Sequence, residues 1–217
     1  MDRQELWDKE KAKRHARWAK MASGVVYRPF AKKIVASLGF PNTEFIIIDL
    51  GTGPGILSVE LNNFFPQAKI IGIDISRQML EIARDNAAEV GMSNYETRLG
   101  RAEQIPAEAS SVDLVVSQFS VHEWDNPRQG FSEIFRVLRH GGSFILRDFN
   151  LDWLTPRKQR LLRFFFSMIP KESYEGHVEM FRFTFEEIDA LLKEAGFERI
   201  CCGGKGLVLV VQAFKDA

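Results

Sequence analysis

Cysteine is nearly absent from this chain: there are two in 217 residues, the adjacent pair Cys201 and Cys202. Neighbouring cysteines rarely bridge each other, because disulfide geometry strains so short a ring. A disulfide-stapled scaffold is therefore excluded, and the pair reads as reduced strand residues. Four histidines and those two thiols show no spacing suited to zinc, so no metal is implied. Charge of one sign is also lacking. Lys plus Arg and Asp plus Glu both number 29, a formal net charge of zero, which leaves no global positive field for a polyanion and disfavours nucleic acid as a partner. No run of 18 or more apolar residues appears, and the N-terminus lacks the basic, apolar and small-residue succession of a secretory signal. A cytoplasmic location without membrane association is the expectation.

Hydrophobic residues make up 45% of the chain and charged residues 27%, as in ordinary soluble domains. The length predicts one domain, divided into an N-terminal helical cap (1–40), a core (41–149), a helical insertion (150–183) and a C-terminal helix with two strands (184–217). Residues Asp2 to Met21, without Gly or Pro, predict a helix that docks through Trp7 and Trp18. Its Lys and Arg cluster is diluted by Asp2, Glu5, Asp8 and Glu10 and reads as a solvated face. A second helix, Tyr27 to Leu38, follows a break at Gly24.

Strand and helix then alternate. Strands are predicted at Phe45 to Leu50, Lys69 to Ile75, Tyr95 to Leu99, Val112 to Gln118 and Ser143 to Arg147. Helices fall at Ile56 to Phe64, Arg77 to Val90 and Pro127 to Leu138, the last stopped by Gly141-Gly142. Apolar runs of this kind suit parallel strands buried on both faces. Asn150 to Phe183 is aromatic-rich and helical, with Trp153, Phe164, Phe165, Phe166, Met168 and Tyr174. Thr184 and Glu187 stand in capping-box positions for a helix through Ala195. Glu198 to Cys202 and Leu207 to Phe214 read as a hairpin across Gly203 to Gly206.

The segment Asp49-Leu50-Gly51-Thr52-Gly53-Pro54-Gly55 follows a predicted buried strand and opens a predicted helix. Glycines there allow a tight turn and the close approach of a ligand to the main chain. Asp74 ends the next strand nineteen residues after Gly55, where a carboxylate can accept hydrogen bonds from a ribose diol. Turn and acid together indicate an adenosine-binding crevice. For a dinucleotide fingerprint the third glycine would fall at Ser58, a near miss.

An acid one residue before G-x-G-x-G, here Asp49 with Gly51, Gly53 and Gly55, resembles the first motif of class I S-adenosylmethionine (SAM) dependent methyltransferases. The resemblance extends to Asp74, to Gly100, Ala102 and Glu103 after the third strand, to Val112 to Val115, and to Phe131 to Gly142. The subgroup it looks most like includes ubiquinone and menaquinone C-methyltransferases. The resemblance implies an α/β, Rossmann-like fold: a seven-stranded, mostly parallel sheet with an antiparallel last strand and helices on both faces. It implies SAM as cofactor and a small-molecule acceptor. Gly51, Thr52, Gly53 and Gly55 would hold the amino-acid end of SAM, Asp74 the ribose, Ile75 one face of adenine, and Arg101, Ala102 and Glu103 its edge. Ser117 would face the methionine part, and Tyr27 lies in a region that the family often folds over the cofactor. The family usually has Asp where this chain has Arg101, and guanidinium cannot accept the adenine amino hydrogens. Glu103 or a backbone carbonyl would then do so.

Methyl transfer from a sulfonium needs chiefly in-line positioning, with a base only where the nucleophile must lose a proton. His122, in Phe119-Ser120-Val121-His122-Glu123-Trp124 after the fourth strand, is the candidate base or else a histidine that shapes the loop through the backbone. His177, Tyr174 and Arg147 are weaker candidates. Asp49 and Asp113 either cap backbone groups or touch ligand. No D/N-P-P-Y/F motif follows this strand, which counts against nucleobase methylation. A SAM-binding module without turnover, and a nicotinamide-dependent oxidoreductase, are the alternatives, and the N-terminal helix can pack in cis or form a dimer.

Overall fold

The computed structural model describes residues 9–38, 45–158, 160, 180–204 and 206–216. The strands are Ile46–Leu50 (β1), Lys69–Asp74 (β2), Tyr95–Leu99 (β3), Val112–Gln118 (β4) and Leu138–Phe149 (β5), followed by Arg199–Gly203 (β6) and Val208–Phe214 (β7), with β-branched residues concentrated in β1, β2, β4 and β7. They build one seven-stranded sheet in the order β3, β2, β1, β4, β5, β7, β6. The first five run parallel, and β7 lies antiparallel between β5 and β6. Every residue of β4, at the centre, is buried. This is the Rossmann-like α/β architecture expected.

The helices are Lys9–Met21 (α1), Arg28–Leu38 (α2), Ile56–Asn62 (α3), Arg77–Glu89 (α4), Pro127–Val137 (α5) and Phe185–Ala195 (α6). Ser76 starts α4 by accepting the Met79 amide at 3.2 Å, and Asn126, followed by Pro127, starts α5. Thr184 and Glu187 form the expected capping box. One core, with Phe131, Phe144, Phe197 and Leu192, fills the α5–α6 side of the sheet. The other, with Phe30, Ile34, Leu57 and Leu61, fills the α2–α3 side. Since alternate residues of a strand face opposite sides, Ile145 joins the second core while Phe144 and Leu146 join the first.

Four expectations are corrected. Trp18 does not dock: it is 54% exposed, and α1 buries Ala12, Ala16 and Ala19 instead. Small residues let the helix approach closely, and Lys20 bonds Glu89 of α4 at 2.6 Å. Gly24 makes no break, because Ser23–Tyr27 winds as a π-helical turn that runs into α2. Glu60 of α3, almost fully buried, holds that turn by accepting from Ser23 Oγ at 2.5 Å and Arg28 Nε at 3.0 Å. Gly141 and Gly142 do not stop α5. The helix ends where Leu138 turns extended (ψ 134°) and begins β5, and the glycines sit in the irregular stretch between the Val112–Leu138 and Leu114–Ser143 pairings. Consequently β5 is longer than expected at both ends. Trp7, Phe164, Phe165, Phe166, Met168, Tyr174 and His177 lie outside the described residues, as do 1–8, 39–44 and Lys205.

Phe131 is fully buried, with its ring centroid 5.4 Å from that of Trp124 and 5.9 Å from that of Phe144. Replacing it by Ala leaves a void that neighbours fill only in part, so Phe131→Ala should cost about 3–5 kcal/mol in chemical denaturation. A loss under about 1 kcal/mol would show that this side of the sheet repacks freely.

Candidate active site

The turn after β1 is stitched to the end of β2. The amides of Gly51 and Thr52 both donate to the Ile73 carbonyl, at 2.8 and 3.0 Å. Gly51, Gly53 and Gly55 all have positive φ, at 73°, 52° and 73°. A Cβ on Gly51 would overlap the Ser120 side chain, whereas one on Gly53 would meet nothing within 4 Å. The first glycine is therefore required by the protein's own packing. At Gly53 the main chain faces open space.

The Gly53 amide donates to Asp74 Oδ2 at 2.8 Å, and Ser76 N donates to Oδ1 at 2.9 Å. Turn and acid thus meet directly, a contact that sequence reasoning did not anticipate. Desolvation pushes the Asp74 carboxyl up to about 6. The two amide bonds oppose the shift, and the charges of Glu123 and Asp49 add to it. Each carboxylate oxygen keeps acceptor capacity beyond these bonds, which fits a ribose diol. Ile75, beside it, is half-buried.

The Arg101 guanidinium turns outward to Asp125, 3.3 Å away, and Ala102 is buried. Glu103 Oε1 accepts the Asn126 amide at 2.9 Å, so this carboxylate anchors the loop before α5. Thr52 and Ser117 turn their hydroxyls inward, Thr52 to Asp49 at 2.8 Å and Ser117 to Ser120 at 2.7 Å. Asp113 caps backbone, accepting the Ile46 amide at 2.7 Å. Tyr27 is half-buried, and its phenol is pushed up to about 12 by burial and by Asp49, with Arg147 opposing.

His122 sits in a 3-10 turn, Val121–Glu123, beyond β4. Its Nδ1 lies 2.8 Å from Asp148 Oδ1, and both side chains are less than a tenth exposed. The partner is a carboxylate rather than the backbone. Asp148 Oδ2 also accepts the Val121 amide at 2.9 Å, which fixes the turn. Burial pulls the imidazole pKa down, but the hydrogen bond and charge of Asp148, with Glu123, outweigh it, and the net shift is upward. Sequence reasoning missed Asp148; its only signal is an acid within the apolar run Phe144 to Phe149.

Both Gly51→Ala and Gly53→Ala place a side chain at positive φ, costing about 1–2 kcal/mol. Only the first also collides with the protein. Gly51→Ala should lower the melting temperature further than Gly53→Ala, while Gly53→Ala should fold yet bind S-adenosylhomocysteine at least tenfold more weakly by calorimetry. Unchanged affinity in Gly53→Ala would move the ligand away from this turn.

A family model described as a methyltransferase domain matches residues 31–196. The chain is 39% identical over 102 residues to a malonyl-[acyl-carrier protein] O-methyltransferase from Hahella chejuensis, covering 46% of this chain and 34% of the relative. It is 26% identical over 165 residues to a ubiquinone/menaquinone biosynthesis C-methyltransferase from Vibrio campbellii, covering 70% and 64%. The chain therefore spans between a third and two thirds of these relatives' length. A Methanococcus maripaludis crystal structure, assigned as an S-adenosyl-L-methionine-dependent methyltransferase, superposes with a TM-score of 0.77 at 25% identity, covering 97% of this chain and 94% of that one. With three quarters of its length matched by the family model, the chain belongs to the methyltransferase domain family, on the Rossmann-like fold of the SAM-dependent methyltransferases.

Proposed function

We propose that this single domain transfers the methyl group of SAM to a small-molecule acceptor, in the cytoplasm, without a nucleic-acid or membrane partner. The observation that carries this reading is the junction of the Gly53 amide with Asp74 beside open space at Gly53. Both named relatives act on small or carrier-borne acceptors, in keeping with a neutral chain. Among the described residues no helix is long and apolar enough to cross a membrane.

When bound, SAM supplies a methyl group already activated on a sulfonium. Gly51 and Gly53 seat the amino-acid end against main chain, Asp74 accepts from the ribose hydroxyls, and Ile75 with the Arg101 to Glu103 turn borders the adenine. Thr52, Gly55 and Ser117 shape this wall from behind, and Tyr27 covers it from the N-terminal cap. His122 takes the acceptor's proton on Nε2. Asp148 holds the proton of the neutral ring on Nδ1, which leaves Nε2 as the acceptor.

Titration with SAM beside NAD, followed by detection of S-adenosylhomocysteine formed from candidate acceptors, tests the reading. NAD binding in place of SAM, or SAM binding without turnover on any acceptor, favours an alternative. Asp74→Ala should weaken SAM binding by about 1.5–3 kcal/mol, the scale of hydrogen bonds to a charged group. The ionised carboxylate is the better acceptor, so wild-type affinity should fall as pH drops through about 6. Stability runs the other way. A carboxyl whose folded pKa is raised contributes stability below its ordinary value, and that contribution is lost as pH rises through about 6. An affinity independent of pH from 5 to 8 would remove Asp74 from the ribose site.

His122→Ala should lower turnover at least tenfold, within the roughly 10²–10⁴-fold worth of a general base, at unchanged SAM affinity. Because its pKa is raised, wild-type activity should rise through a step above the ordinary histidine value, and Asp148→Asn should move that step down. Normal turnover and an unaltered profile in His122→Ala would return the ring to loop structure.

A further inference from the structure

The side chains of Gln118 and Arg147 are register partners on β4 and β5, so they point to the same side of the sheet. Gln118 is 8% exposed, and neither its amide nitrogen nor its amide oxygen has a hydrogen-bond partner among the described residues. Leaving such a group unpaired forfeits its hydrogen bonds to water with no replacement, which destabilises the fold. Half-buried beside it, Arg147 spends one N–H on the Val26 carbonyl at 2.7 Å and faces no carboxylate among the described residues. Guanidinium carries five N–H donors and no acceptor, so most of its donors stay unused. Its other neighbours are the Tyr27 phenol and the rings of Phe30 and Phe119, the last two 5.6 and 5.3 Å from the guanidinium carbon.

Phe119 adds an independent observation. Its φ is +55°, a conformation that a bulky side chain rarely adopts. Its amide is held by the Arg147 carbonyl at 2.8 Å, and its ring stacks on Phe149 at 4.7 Å. Phe149 in turn meets the His122 ring edge at 5.8 Å. An aromatic floor therefore runs from the guanidinium to the candidate base, and backbone strain of this kind gathers at binding sites.

We propose that Gln118 and Arg147 form a carboxylate-binding corner for the methyl acceptor, which is an acid with an apolar body resting on Phe119 and Phe149. The guanidinium fork grips a carboxylate through paired N–H bonds, and the Gln118 amide donates a further one. The methionine carboxylate of SAM shares this chemistry. Arg147, on β5, lies two strand spacings, about 10 Å, from β1 and its glycine turn, with Gln118 on β4 between them, which sets the guanidinium on the acceptor's side. The inference rests on the methyltransferase reading in treating this ligand as the acceptor.

The test uses protein saturated with S-adenosylhomocysteine and three acid–amide pairs: benzoate and benzamide, 3-phenylpropanoate and 3-phenylpropanamide, octanoate and octanamide. Calorimetry should find at least one acid bound tenfold or more tightly than its amide. Arg147→Met and Gln118→Leu should remove that preference and leave the amide unaffected, and Arg147→Lys should keep part of it. Should Arg147→Met fail to fold, Gln118→Leu and Arg147→Lys carry the comparison. No preference for any acid, or a preference that survives these variants, overturns the proposal. A second arm compares S-adenosylhomocysteine with 5′-methylthioadenosine, which lacks the amino-acid part. If the variants weaken only the former, the carboxylate is the cofactor's and the proposal falls. If the wild type binds no SAM or S-adenosylhomocysteine, the methyltransferase reading fails, and the acid–amide comparison on ligand-free protein still decides the corner.

Discussion

Asp49 is buried at the end of β1, where its carboxylate accepts the hydroxyls of Thr52 at 2.8 Å and Ser58 at 2.7 Å. Burial raises its pKa, and the two hydroxyl bonds oppose that shift. One donor lies inside the glycine turn and the other within α3, so satisfying this single group fixes the chain's path between strand and helix. With the polar side chains of the turn consumed inward, its outer surface is bare main chain. That surface is what presents the Gly53 amide to Asp74. The ligand-facing side of the turn is thus a by-product of burying an acid on the other side.

A second carboxylate plays the matching part across the central strand. Asp148, on β5, takes the Val121 and Phe149 amides and the His122 ring. Arg182 clamps the same loop from outside, donating to the carbonyls of His122 at 3.1 Å and Trp124 at 2.7 Å. A 3-10 turn held at both faces leaves the imidazole little rotational choice, and its raised pKa follows from the same bond that orients it. The two acids flank β4, one governing the cofactor turn and the other the candidate base. Each does so from a parallel strand whose carboxyl end opens toward the ligand.

What was legible in the sequence followed from local pattern. Apolar runs announced β1, β2 and β4, Thr184 with Glu187 announced the start of α6, and the glycine turn followed by Asp74 announced which two strand ends share a crevice. What was illegible depended on partners distant in the chain. Trp18 looked like an anchor because indole is large and apolar, yet α1 approaches α4 through alanines, whose advantage appears only once the neighbour is known. The role of Asp148 depends on a histidine 26 residues away in another element. Gly141-Gly142 matched a helix stop but served a strand irregularity, since both uses exploit the same freedom at positive φ. The partner of Arg101, Asp125, is likewise 24 residues away and outside any local pattern.

Violations of local rules in this chain are unevenly placed. The orphaned amide of Gln118, the left-handed backbone of Phe119, the nearly unused donors of Arg147 and the buried imidazole of His122 all lie at the carboxyl ends of β4 and β5. Deeper in the same two strands, Leu114, Val115, Val116, Phe144 and Leu146 are apolar and fully buried, with nothing left unpaired among their side chains. If the violations were errors of packing, they would be expected throughout the sheet. Elsewhere in the sheet only single buried side-chain atoms of Asp113 and Gln212 lack a hydrogen-bond partner among the described residues, and the gathering of the rest at one end of two adjacent strands follows if the fold tolerates them where a ligand completes the hydrogen bonding. The same reasoning separates the two halves of the crevice. At β1 and β2 the polar groups are already satisfied within the protein, so binding there adds contacts to a finished structure. At β4 and β5 the protein's own polar groups are incomplete, and the acid proposed there supplies acceptors to the Arg147 guanidinium and the Gln118 amide nitrogen.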